Sequence, residues 1–119
     1  MSFFSGRPAS TSHRLLSAAA SANATLVIER PASLKGIQGH VAAATPVYLK
    51  LYDMANEPSE ADTPVKTLYL PASASFSFDF PAGFDFASGI GYRITGAAAD
   101  ADTTALVAAD VLALNLDYL

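Results

Sequence analysis

The sequence predicts an all-β protein: a single antiparallel β-sandwich or jelly-roll-like domain with an extended amino-terminal arm. Three observations predict it. From Ser75 to Phe80 the chain reads Ser-Phe-Ser-Phe-Asp-Phe, and Phe84-Asp-Phe86 resumes the alternation after Pro81-Ala-Gly83. Strand side chains point alternately to opposite faces, so the phenylalanines share a buried face and the polar residues a wet one. Further short alternating segments lie between Pro, Gly and Asp turns along most of the chain, the spacing of an all-β domain. These segments lie too close together for crossover helices, which argues against a parallel α/β sheet. A closed barrel would show much the same rhythm, and the sandwich is the preferred reading.

The elements follow in order. Residues 1–22 are rich in Ser and Ala, with apolar knots at Phe3-Phe4 and Leu15-Leu16 and no sustained period. They read as an arm whose Phe3, Phe4, Leu15 and Leu16 dock on a neighbouring subunit or on the domain itself, or else as a disordered tail. The sandwich occupies 23–119. Ala24–Arg30 alternates, with Leu26 and Ile28 on one face, and Pro31 ends it because proline cannot donate to a ladder. Leu34–Ala43 turns Ile37 and Val41 inward, and Gly36 and Gly39 mark a bulge or a close backbone approach.

Val47–Asp53 places Val47, Leu49 and Leu51 inward and Tyr48, Lys50 and Tyr52 outward. A polar loop spans 54–64, and Val65–Leu70 follows with Leu68 and Leu70 inward. Pro81 is expected to separate the strands Ser75–Phe80 and Phe84–Phe86. Gly89–Thr95 carries Ile90, Tyr92 and Ile94 on one face. In Val111–Tyr118 the alternation puts Leu112, Leu114, Leu116 and Tyr118 together. A short helix at Thr104–Asp110 is compatible with its Ala and Leu content, though too brief to stand alone.

Bulk properties narrow the function classes. At 119 residues there is room for one domain. The chain has no cysteine, so neither disulfides nor thiolate metal sites stabilise it. Charged residues make up 15%, well below the roughly 25% of an ordinary soluble domain. Either neighbouring subunits cover part of the surface, or Ser, Thr and Asn supply its polarity. The net charge of −4, with seven scattered Lys and Arg, argues against nucleic-acid binding. No apolar run is long enough to span a bilayer, so no membrane partner is expected. Ala18-Ala-Ala20 and Ala22-Asn-Ala24 have the form of signal-peptidase sites. The basic start and apolar stretch of a signal peptide are missing, so none is expected.

Little points to a reaction, and the reading is of a protein that is not an enzyme and carries no cofactor. His13 and His40 share no metal-ligand spacing. Asp100 and Asp102 open a calcium-loop pattern, but Ala105 and Val111 stand where glycine and glutamate belong. A looser calcium site with Asp110 ranks far below a solvated turn. Gly89-Ile-Gly91 lacks the third glycine of a dinucleotide fingerprint and opens a strand. Asp79 and Asp85 flank the aromatic run as turn residues rather than an acid–base pair. The outward set Tyr48, Lys50 and Tyr52 suits a protein interface. It also suits a strand covered by the arm or a loop, or stacking against sugar rings.

Several segments carry a resemblance to the small virion proteins of tailed bacteriophages. They are Ser17–Val27, Val47-Tyr-Leu-Lys-Leu-Tyr52, Asp62-Thr-Pro-Val-Lys66, Phe78-Asp-Phe-Pro-Ala-Gly83 and Gly89-Ile-Gly-Tyr92. The resemblance implies a structural virion protein, and within that group a capsid decoration (cement) protein fits best. Such proteins are small, β-rich and often trimeric, and they clamp neighbouring major capsid subunits with an amino-terminal arm. The implied partners are the major capsid protein and further copies of this chain, on the capsid exterior. The alternatives are a tail, baseplate or fibre module that binds a cell-surface glycan through Tyr48 and Tyr52, and an unrelated β-sandwich binding module.

Overall fold

Alternating apolar residues determine which face of each strand is buried, and that choice fixes the register in which strands pair. The computed structural model describes residues 11–15, 22–106 and 110–119. Its strands are β1 (Thr11–Leu15), β2 (Thr25–Ile28), β3 (Ala32–Val41), β4 (Val47–Asp53), β5 (Lys66–Leu70), β6 (Ala74–Phe86), β7 (Ile90–Thr95) and β8 (Val111–Tyr118). Sheet one has the order β1-β8-β3-β6 and sheet two the order β2-β7-β4-β5. Every pairing is antiparallel.

The first half of the chain therefore runs against the second, β1 on β8, β2 on β7, β3 on β6 and β4 on β5. A ribbon folded back on itself and wrapped so that its pairs alternate between two sheets is a jelly roll. The protein is thus an all-β sandwich. Between the sheets lies one apolar core. Leu34, Val41, Leu49, Leu51, Leu70, Ile90, Ile94, Val111, Leu114 and Leu116 are wholly shielded from solvent, each worth about 1.5–3 kcal/mol relative to exposure.

Two expectations, those for Pro81 and Leu112, change in the fold, and part of the segment read as an arm finds its place on the domain. Thr11–Leu15, within the segment read as an arm, is the edge strand β1, paired residue by residue with Leu114–Tyr118. Leu15 packs against the domain's own core. Pro81 does not end a strand, because β6 runs continuously from Ala74 to Phe86. Phe80, Pro81, Ala82 and Gly83 bulge out opposite Lys35, between the pairs Gly36–Asp79 and Leu34–Phe84. β6 is an edge strand, where proline's missing N–H costs no ladder bond. Gly83 adopts φ +83°, and a Cβ there would meet the Ser33 hydroxyl. The even number of bulged residues keeps Phe76, Phe78, Phe80, Phe84 and Phe86 on the core side.

Leu112 also departs from its expected face. The β3–β8 register shifts between Gln38 and His40, and Ala113 takes φ +51°. This second bulge leaves Leu114, Leu116 and Tyr118 inward and turns Leu112 to the outer surface. The bulge expected near Gly36 and Gly39 is present at both positions. No helix forms over Thr104–Leu106, and 107–109 lie outside the described residues.

Two polar devices join the sheets and turns. Asp53, ending β4, accepts the Ala87 and Ser88 N–H groups at 2.9 and 2.8 Å and so pins the β6–β7 turn. Burial pushes its pKa up, but hydrogen bonds from Ala87, Ser88 and Gly89 outweigh this and hold it below the ordinary value. His13 of β1 meets the Tyr92 hydroxyl of β7 across the sheets at 2.9 Å. The two rings stand edge to face, 5.6 Å apart. Burial lowers the His13 pKa and raises that of Tyr92 to about 12.

Two stability measurements check this account. A Cβ on Gly89 would stand 2.5 Å from the Ile28 carbonyl oxygen and 2.6 Å from that of Met54, both backbone atoms. Gly89→Ala should therefore cost about 1–3 kcal/mol in urea unfolding. Gly36→Ala, with contacts no closer than 3.5 Å, should change stability far less. Because the folded state lowers the His13 pKa from 6.5, its contribution is complete above that pH and is lost as pH falls through the folded value. The urea midpoint should accordingly drop between about pH 7 and pH 5, and His13→Phe should flatten that part of the profile.

Candidate functional site

The outer face of sheet two holds the sequence's one notable constellation. Register places Lys50 of β4 beside Arg93 of β7, and Tyr48 between Thr95 of β7 and Tyr69 of β5. Two cations side by side on neighbouring strands repel, so their burial needs an acceptor-rich cover. The segment 96–105 supplies it. Lys50 Nζ donates to the Ala99 carbonyl at 2.5 Å. Arg93 donates to the Tyr52 hydroxyl at 3.1 Å, the Asp100 carbonyl at 3.4 Å and the Asp102 carbonyl at 2.7 Å.

The cover is itself braced. The Asp102 carboxylate accepts the Ala97 N–H at 3.2 Å and, from Thr104, the N–H at 3.1 Å and the hydroxyl at 2.9 Å. Burial pushes the Asp102 pKa up, but bonds from Thr104 and Ala97 and the charge of Lys50 bring it below the ordinary value. Lys50 moves down as well, chiefly through burial and then through Arg93, with Asp102 and Asp100 opposing. A second loop covers the adjoining surface, where buried Pro58 lies against Gly91.

The exposed set Tyr48, Lys50 and Tyr52 is therefore corrected. Lys50 is 0% and Tyr52 1% exposed, because the chain's own loop closes over them. Stacking of a sugar between Tyr48 and Tyr52 is not available. Tyr48 alone stays half-exposed. Its partner is Tyr69, 54% exposed, with ring centroids 5.6 Å apart in an edge-to-face pair. Val65, just before β5, is 50% exposed. Tyr69 could have been singled out, since alternation with Leu68 and Leu70 turns it outward. Its contact with Tyr48 needed the register between two strands.

Of the other expected interface residues, Leu15 is half-buried at the sheet edge, while Phe3, Phe4 and Leu16 lie outside the described residues. Among the described residues no group of three or more His, Asp or Glu is placed to hold a metal ion. Asp79 and Asp85 sit on either side of the β6 bulge. His13 and His40 lie on different strands, and His40 Nδ1 is 3.1 Å from the Ser75 hydroxyl.

No protein-family model, curated protein or solved structure matches the chain.

The braced cover makes a prediction. Arg93→Ala strands the Tyr52 hydroxyl and two loop carbonyls, so it should cost about 2–4 kcal/mol and speed amide exchange across 97–105. Lys50→Met removes a charge whose burial is unfavourable and should be close to neutral or stabilising. Thermal melts and hydrogen exchange of the two variants check both outcomes.

Proposed function

We propose that this protein is a structural component of a tailed-phage virion, a decoration protein bound to the outside of the major capsid lattice. One observation carries the reading: among the described residues the Tyr48–Tyr69 pair presents aromatic surface on a face that the chain's own loops cover in large part, and Val65, just before β5, is also exposed. Tyrosines present much contact area with few rotatable bonds, and such residues anchor protein interfaces. The eight-stranded jelly roll adds support at the level of architecture, being used by viral capsid and lectin domains, although a fold alone does not assign a role.

Energetically, a protein that binds only the assembled lattice stabilises that lattice by mass action. Its acidic charge keeps it from competing for packaged DNA. The partners are the major capsid protein and further copies of this chain, as a trimer. In this reading Phe3 and Phe4, which precede β1 in the sequence, supply apolar contacts to a neighbouring subunit.

The test is binding of the purified protein to isolated capsid shells, with cryo-electron microscopy of the particles. Tyr48→Ala/Tyr69→Ala should weaken shell binding at least about tenfold while the protein stays folded, with a melting temperature lower by only a few degrees. Removal of residues 1–10 should weaken binding too while sparing β1. Density confined to the tail, or unchanged shell binding by the double variant, would sink the proposal.

A further inference from the structure

The outer face of sheet one differs in character from that of sheet two. An open groove of about 530 Å³ runs across β8, β3 and β6, within the size range of small-ligand sites. Its shallow outline comes from the backbone. The bulge at Ala113 displaces β8, and Leu112 turns outward to form an apolar floor.

Across this floor the register sets hydrogen-bonding groups in rows. One row is Asn115, Gln38 and Ser77, on three adjacent strands. The next is Leu112, His40 and Ser75, in which His40 and Ser75 bond each other. Beyond the groove, Asp117 and Asp79 flank Gly36, whose missing side chain leaves the surface low between them. Gln38 and Ser77 are exposed and have no side-chain hydrogen bond among the described residues. Asn115 uses one N–H on the Ala113 carbonyl at 2.8 Å, which leaves its oxygen and second N–H free.

We propose that this groove binds a neutral saccharide chain. The chemistry favours that class over others. Amide and hydroxyl groups both donate and accept, as sugar hydroxyls do. The lining carries no carboxylate or Lys, and the two aspartates beyond it disfavour an anion while accepting hydroxyl protons. Leu112, Ala113 and Phe76 also line the groove and offer an apolar surface on which the C–H face of a sugar ring can lie. The site lies on the opposite sheet from Tyr48 and Tyr69, so the inference stands independently of where the protein resides in a particle.

The experiment is a heteronuclear NMR titration of the full chain with three probes: maltohexaose, chitohexaose and mannohexaose. At least one should give saturable shifts clustered in residues 36–40, 75–79 and 112–117. Gln38→Ala and Ser77→Ala remove exposed groups and should leave the melting temperature unchanged while weakening binding roughly three- to tenfold each. The proposal is overturned if no probe gives saturable shifts up to about 10 mM. It is equally overturned if the shifts cluster around Tyr48 and Tyr69, or if the Gln38→Ala and Ser77→Ala variants both bind as the parent does.

Discussion

Everything in this molecule depends on the pairing of its two halves in opposite directions. Each strand of the first half has its ladder partner in the second, and the outermost pair joins Thr11–Leu15 to the last residues of β8. No sheet is complete until both halves have met. Loop closure must therefore come before most of the apolar burial that rewards it, a condition associated with slow folding. The core residues are correspondingly shared: Leu34, Leu114 and Ile90 come from three distant parts of the sequence and belong to one cluster.

How much of this was legible depended on whether the controlling interaction was local. The bounds of the strands Val47–Asp53 and Val111–Tyr118 could be read to the residue, because apolar residues recur at every second position of their sequences. β1 could not: Thr-Ser-His-Arg-Leu is polar, and only its partner β8 makes it a strand. Pro81 is a genuine strand breaker whose effect vanishes on an edge, and edge position is a property of the sheet. The face of Leu112 was misassigned for a similar reason. A bulge changes parity, and alternation cannot register an inserted residue whose neighbours are all apolar.

The candidate site shows the same boundary from the other side. Alternation correctly turned Tyr48, Lys50 and Tyr52 away from the core. It could not reveal that a segment more than forty residues downstream would fold over two of them. What distinguishes Lys50 from Tyr48 is the position of Ala99, Asp100 and Asp102 in space. The two sheets thus divide the surface. Among the described residues the outer face of sheet two is largely covered by the chain's own loops, whereas that of sheet one carries mainly uncharged polar groups around its groove with Asp79 and Asp117 beyond it.

The β6 bulge carries a consequence for the molecule in bulk. An alternating Ser-Phe-Ser-Phe-Asp-Phe strand at a sheet's rim offers unpaired backbone groups to any similar strand, as in the growth of cross-β fibrils. Phe80-Pro81-Ala82-Gly83 breaks that rim midway, with a residue that cannot donate and a chain that leaves the plane of the sheet. The aromatic face can then be as greasy as the core requires while the edge beside it is a poor template for aggregation. At high protein concentration such a kink disfavours edge-to-edge growth of the sheet.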